Sequence, residues 1–364
     1  MRPVRIAVEG LYATEGTTDG AGRFLTSLLA ALGRRDDVEV VAIVGPSTYD
    51  AVREIDGLRE VVRLGPASRA GRIAAQHAGV PREARRRGAD VLLCLGNYAP
   101  LVHALPTVAV VQNLLLAVVM NEYGRARAVY RRLSARHLAR HSDAVVSISE
   151  LMARELVRTT PRAAERVRVV YPGVDVDFFG TPAGPPAGAP DPYLLAVGTV
   201  WAYRDYPLAL EALGRSGLPH TLAVAGAAAA DERERLEHRV AELGLEGRLH
   251  LLGAVPPDEL RRWYARADAL LATSRLESFG LSVLEAMAAG TPVVAVDRSV
   301  YPETARGAAE LAPPEPDALA AALQRALEPE RRAELVALGR ERAAGFTWDR
   351  SAEGLVEVCR SVAG

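Results

Sequence analysis

The chain has 364 residues, 49% of them hydrophobic and 24% charged, with a formal net charge of -1. This length exceeds what a single core usually fills, so two domains are the default, and the balanced charge gives no general surface for nucleic acid. All 44 basic residues are arginines, which excludes a lysine Schiff base and a phosphate-loop lysine, and Cys94 and Cys359 have neither metal-ligand nor disulfide-framework spacing.

The first residues, MRPVRIAVEG, run directly into a strand pattern over 4–8, with no charged leader ahead of a long apolar segment. No stretch approaches the ~20 apolar residues of a membrane span, and the expectation is a cytoplasmic, reduced protein. A long loop punctuated by Gly20 and Gly22 follows, and helical periodicity begins near Phe24, with Leu25, Leu28, Leu29 and Leu32 on the same face. Residues 38–44, 91–95 and 107–111 read as further strands. The last two end in Gly96-Asn97-Tyr98 and Gln112-Asn113. Polar residues at the carboxyl ends of parallel strands lie where ligands gather in open α/β sheets. Taken singly, Asn97 and Asn113 are equally consistent with ending their strands through local side-chain hydrogen bonds.

Residues 125–141, RARAVYRRLSARHLARH, form a strongly basic helical pattern. It reads as an arginine-coated surface helix, with weak contact to an anionic membrane surface as the alternative. A strand then runs into a helix capped near Ser149, and another strand leads to Pro172-Gly173. Residues 181–192 are almost entirely Gly, Ala and Pro, the composition of an interdomain linker. The second half repeats the strand–loop–helix rhythm. Leu208, Leu210 and Leu213 face inward after the first strand, 221–225 forms the next, and 269–272 forms a later one.

The most informative stretch is TSRLESFGLSVLEAMAAGTPVVAV, from Thr273 to Val296. Glu277 follows an apolar strand end, and Glu285 lies about one turn into a helix. Ser278, Phe279, Gly280 and Leu281 between them form a turn whose backbone N–H groups, backed by the helix dipole, can cradle an anion. A glutamate bracketed by Leu284, Ala286 and Met287 needs a partner or a ligand. Two carboxylates flanking an anion cradle suit a ligand that is both anionic and rich in hydroxyls, as a nucleotide-sugar is. A solvated loop acid and an exposed helix charge are the alternatives.

RLESFGLSVLEAMAAGTPVVA resembles the E-x7-E signature of retaining glycosyltransferases of the GT-B fold, family 4 in particular. Gly20, Gly22 and Arg23 resemble that family's G-x-G-R-[YF] element, RVRVVYPGVDVDFF its P-[NG]-G-V-D segment, and HLLGAVPPDELRRWYARADALLATS a further segment of its second domain. The resemblance implies an α/β protein of two Rossmann-like domains facing across a cleft. Residues 1–172 would bind acceptor, 173–192 would link, 193–345 would bind the nucleotide-sugar, and a helix within 346–364 would cross back to the first domain.

It further implies an enzyme that moves a sugar from a nucleotide diphosphate-sugar to a hydroxyl acceptor with retention, the leaving diphosphate taking the acceptor proton. Glu277 falls at the donor sugar, Ser278, Phe279, Gly280 and Leu281 at sugar and diphosphate, Glu285 at the ribose, and Val255 in the turn that receives the base. Gly20 and Gly22 approach the donor. Arg204, in the position of the family's R-K-N string, falls at the diphosphate, where its bidentate fork suits the anion. Asn97, Gln112 and Asn113 fall on the acceptor side. Where many relatives carry His-Asp this chain has Gln112-Asn113, and Gln112 binds a hydroxyl without taking a proton.

The expected catalytic group is thus Glu277, Arg204 and Gln112, with no metal and no cofactor beyond the substrates. The donor base (UDP, GDP, ADP or dTDP) and the acceptor (glycan, lipid or small natural product) stay open. Other readings are a nucleotide-sugar epimerase, a phosphorylase-like enzyme, or a non-catalytic nucleotide-sugar-binding protein.

Overall fold

The protein is described from a computed structural model, which covers residues 2–13, 20–65, 68–113, 133, 136–181 and 184–364. The chain divides into two compact units, one of residues 1–173 with 348–364 and one of residues 174–347.

In the first unit the described strands are β1 (Val4–Gly10), β2 (Val38–Val44), β3 (Glu60–Arg63), β4 (Val91–Cys94), β5 (Thr107–Val111), β6 (Ala144–Ser147) and β7 (Val167–Val169). They form a parallel sheet in the order β3-β2-β1-β4-β5-β6-β7. Strands such as VLLC, TVAVV and AVVS are buried along their whole length, as continuous apolar runs must be in a sheet covered on both faces. The edge strand β3 instead carries exposed Glu60 and Arg63.

The sheet order reverses between β1 and β4, because β1 is followed outward by β2 and β3 on one side and β4 starts the other. A core of Ala7, Leu11, Val41, Ile43, Val80, Ala84, Leu92 and Cys94 lies beneath that point. The Gly20–Gly33 helix buries Leu25, Leu28, Leu29 and Leu32. It begins at Gly20, so Gly20 and Gly22 occupy its first turn rather than the expected loop. The Trp348–Ala363 helix groups with this unit. Trp348 meets Phe24 edge-on at 5.3 Å, and Ser351 Oγ donates to the Tyr171 carbonyl at 2.6 Å.

Of the basic segment 125–141, residues 125–132, 134 and 135 lie outside the described residues. Residues 136–141 are helical, Leu138 is buried and Leu133 is exposed. No described helix is long and apolar enough to cross a membrane.

The second unit carries β8 (Tyr193–Val197), β9 (Thr221–Ala225), β10 (Leu249–Gly253), β11 (Ala269–Ala272), β12 (Val293–Val296) and β13 (Glu310–Ala312), parallel in the order β10-β9-β8-β11-β12-β13. Its order reverses between β8 and β11, the same device as in the first unit. The Gly/Ala/Pro-rich region at 173–192 is not wholly a free connector. The division between units falls after Gly173, and Val176–Gly180 is a helix that packs on the Leu281–Ala289 helix. Its Phe179 is buried and meets Tyr264 edge-on at 5.6 Å. Asp175 starts it by accepting the Phe178 N–H at 3.0 Å, a capping signal that the composition of the stretch obscured.

Candidate functional site

The carboxyl ends of β8 and β11 are adjacent, and two loops leave them side by side. The β8 loop runs through Gly198 into a short 3-10 turn, Ala202–Arg204, and the β11 loop runs from Thr273 to Gly280. Hydrogen bonds to backbone carbonyls join them: Thr273 Oγ1 to the Arg204 carbonyl at 2.9 Å, Arg275 N–H to the Tyr203 carbonyl at 2.8 Å, and Arg275 Nη2 to the Ala202 carbonyl at 2.7 Å. Gly198 is required by this closeness. Its φ of 138° disfavours a side chain, and a Cβ there would fall 2.8 Å from the Arg204 guanidinium carbon.

Arg204 Nη1 donates to Glu277 Oε2 at 2.5 Å and to Ser274 Oγ at 3.3 Å. The two charged side chains are 19% and 17% exposed, so the pair is shielded but reachable. Burial opposes the Arg204 charge, but Glu277, with smaller contributions from Tyr206, Tyr301 and Tyr203, more than offsets it and holds the guanidinium pKa above its usual value. Burial raises the Tyr206 hydroxyl to about 12, so it stays protonated and donates to the Gly198 carbonyl at 2.8 Å. Glu211, on the helix after Arg204, is taken by Arg239 at 2.7 Å, and Arg204 and Glu277 take each other.

Beyond Glu277 the chain turns into the Leu281–Ala289 helix through Gly280, whose φ of 81° is open to glycine at no cost. The turn is pinned from below. Ser299 Oγ accepts the Glu277 N–H at 2.8 Å and donates to the Glu277 carbonyl at 3.0 Å, and the Thr304 hydroxyl donates to the Phe279 carbonyl. Glu277 Oε1 accepts the Ser278 N–H at 3.0 Å, so both carboxylate oxygens have fixed partners. A helix leaves its first N–H groups without intrahelical acceptors, and here they begin at the end of a rigid turn next to Arg204.

Glu285 is 3% exposed, and its Oε2 accepts the Tyr264 hydroxyl at 2.7 Å. Tyr264 is fully buried and packs in the core as well as making this bond. The partner that a glutamate among apolar neighbours requires is therefore within the protein. Spacing from one helix to the next carries no sequence signal for it. Val255 lies on the loop after β10, half-buried, and Gly253 there has a φ of 70°. The Gly253 carbonyl accepts the Gly226 N–H at 2.8 Å, which joins the ends of β9 and β10.

In the first unit Asn97, Gln112 and Asn113 do come together. Asn97, at a φ of 58°, accepts the N–H groups of Gln112 and Asn113 on Oδ1, at 2.5 and 3.0 Å. Gln112 Nε2 donates to the Leu95 carbonyl at 2.9 Å. These bonds clasp the ends of β4 and β5, the strand-terminating arrangement, while Asn113 is exposed.

A parallel-sheet pair with these strand orders, each carrying loops at its reversal, defines an α/β protein of GT-B architecture. Over 98% of both chains it superposes on sucrose-phosphate synthase from Thermosynechococcus elongatus, with a TM-score of 0.78 and 21% identity. It also superposes on Anabaena HepE in complex with UDP-glucose, over 98% of this chain and 99% of that one, at a TM-score of 0.74 and 19% identity. Residues 18–178 match the model of Glycosyltransferase Family 4, and residues 183–342 match that of Glycosyl transferases group 1.

The D-inositol 3-phosphate glycosyltransferase of Frankia alni is 32% identical over 72% of this chain and 68% of its own. That of Acidothermus cellulolyticus is 32% identical over 72% of this chain but only 62% of its own. The chain belongs to glycosyltransferase family 4. It spans a little under two thirds of the length of several of the relatives it matches, including 66% of that of Xylanimonas cellulosilytica.

Proposed function

We propose that the protein is a retaining glycosyltransferase that moves a sugar from a nucleoside diphosphate donor to a hydroxyl acceptor. The observation that carries this reading is the Arg204–Glu277 pair, at 2.5 Å, beside the N-terminus of the Leu281–Ala289 helix at the β8/β11 reversal. A guanidinium fork and the positive end of a helix dipole form an anion site that suits a diphosphate. The family relationship and the UDP-glucose complex of a structural neighbour support the same donor class.

In this reading the donor diphosphate engages Arg204 and the backbone of Ser278, Phe279, Gly280 and Leu281. Glu277 accepts hydroxyls of the sugar, and Glu285, oriented by Tyr264, accepts those of the ribose. Val255 and its neighbours receive the base through backbone groups, and Gly20 and Gly22 serve the donor from the first unit. On the acceptor side Gln112, with Nε2 committed to Leu95, offers Oε1 to the attacking hydroxyl, with Asn97 and Asn113 shaping the strand ends.

The bond from the anomeric carbon to the diphosphate breaks while the acceptor oxygen bonds on the same face, and the proton passes to the departing phosphate oxygen. No protein base is needed, consistent with Gln112 and Asn113 standing where many relatives carry His-Asp. Arg204 and the helix dipole stabilise the charge that develops on the leaving diphosphate, and this electrostatic preorganisation replaces a metal.

The similarity to D-inositol 3-phosphate glycosyltransferases makes D-inositol 3-phosphate the first acceptor to try. The test is incubation with UDP-, GDP-, ADP- and dTDP-sugars in the presence of a chelator, with the product anomer read by proton NMR. A product with the donor's anomeric configuration is expected. An inverted product, or activity that appears only when magnesium or manganese is restored, overturns the mechanism.

A further inference from the structure

The other sheet reversal, between β1 and β4, carries a group that the proposed reaction does not use. Glu9 is the penultimate residue of β1 and has no exposed surface. Its Oε1 accepts the Leu11 N–H at 2.7 Å and Gln76 Nε2 at 3.1 Å, while Oε2 is buried with no hydrogen bond of good geometry. Gln76 reaches it from a π-helical turn, Ala75–Gly79, a rare backbone form.

The exit loops of β1 and β4 touch here. A Cβ on Gly96 would fall 2.8 Å from that of Tyr12, and the Tyr12 hydroxyl donates to the Ala21 carbonyl at 3.2 Å, tying the loop to the first turn of the Gly20–Gly33 helix. The titratable groups facing Glu9 are Cys94 on β4 and Tyr98 just after it, both coupled to it electrostatically. Behind them lies His77 of the π-turn, its ring 5.6 Å from that of Tyr98. Among the described residues no cation pairs with Glu9.

We propose that Glu9 is a positioning residue: with Gln76 it forms a latch at the β1/β4 reversal that holds the β1 exit loop against the π-turn, and the latch opens when the carboxyl ionises. A carboxylate buried with one oxygen lacking a hydrogen bond of good geometry is penalised in its charged form. Any opening that lets water reach it removes the penalty.

Burial pushes the Glu9 carboxyl up to about 7, against the pull of Gln76 and of the amides of Leu11, Tyr12 and Leu95. The closed latch therefore binds the proton more tightly than the open one. Its stability is full below the ordinary carboxyl value of 4.5 and is lost as pH rises through about 7. Cys94 and Tyr98 are raised well above their ordinary values by burial, and His77 is lowered by burial and by His137. The consequence for catalysis rests on the donor-side role proposed for Gly20 and Gly22. The latch itself does not.

Hydrogen exchange of the whole protein tests it without any substrate. After correction for intrinsic exchange, the protection of peptides covering residues 9–13 should fall roughly 25-fold between pH 5.5 and 8, the linkage expected for a carboxyl near 7 closed and near 4.5 open. Glu9→Gln should abolish that pH dependence. Gln76→Leu, which removes a donor favouring the charged form, should extend the fall to higher pH and serves as the second variant if Glu9→Gln folds poorly. Protection that is flat with pH in the wild type, or an unchanged profile in either variant, overturns the proposal.

Discussion

The two sheets reverse their strand order in the same way, yet the loops at the two reversals treat charge oppositely. At β8/β11 a carboxylate, Glu277, is paired with Arg204 at 2.5 Å in a partly exposed setting, and its other oxygen accepts a backbone N–H. At β1/β4 a carboxylate, Glu9, is wholly buried with one oxygen lacking a hydrogen bond of good geometry. Identical topology therefore fixes where chemistry can gather but not its kind. A paired, reachable ion pair is poised to exchange its partner for a ligand anion, whereas an unpaired buried acid is poised to exchange its proton.

The comparison can be broken most strongly at Arg204. Arg204→Ala removes the diphosphate's cation and leaves Glu277 without its partner, and should lower sugar transfer about 100- to 1,000-fold, measured as kcat/KM for the donor. Glu277→Ala separates gripping from turnover. It should lower kcat by about 100-fold while affinity for the free nucleoside diphosphate, which lacks the sugar, changes little in a calorimetric titration.

Glu285→Ala should do the converse and weaken both donor and free nucleotide about tenfold, the loss of one charged hydrogen-bond acceptor. Unchanged nucleotide affinity would remove the ribose assignment. Tyr264→Phe should cost about 1 kcal/mol of stability in chemical denaturation, because it deletes a single buried hydrogen bond to Glu285. At the other reversal, raising pH from 5.5 to 8 should lower the stability carried by Glu9 by about 2 kcal/mol, a loss absent from Glu9→Gln. These last two effects are similar in size and differ in pH dependence.

Much of this was legible in the sequence where one segment contains its own explanation. Strands β2, β5, β9 and β11 lie where their apolar runs predict them, and Ser149 caps its helix by accepting the Met152 N–H at 3.2 Å. The turn from Glu277 into the Leu281–Ala289 helix was readable because Gly280 and the helix periodicity are contiguous. What escaped depends on residues distant in sequence. Tyr264 meets Glu285 across two helices, Ser299 and Thr304 pin the turn from a later loop and the short helix after it, and Gln76 meets Glu9 through a π-turn that no periodicity announces. The significance of Glu9 is its burial, which depends on β4 packing beside β1.

The central claim, that the β8/β11 reversal is an anion site for a nucleoside diphosphate, is tested most directly by isothermal titration of UDP, GDP, ADP and dTDP into the wild type and into Arg204→Ala. At least one of the four should bind the wild type and bind Arg204→Ala at least tenfold more weakly. Equal affinity for both proteins, or no binding of any of the four to the wild type, would contradict the account.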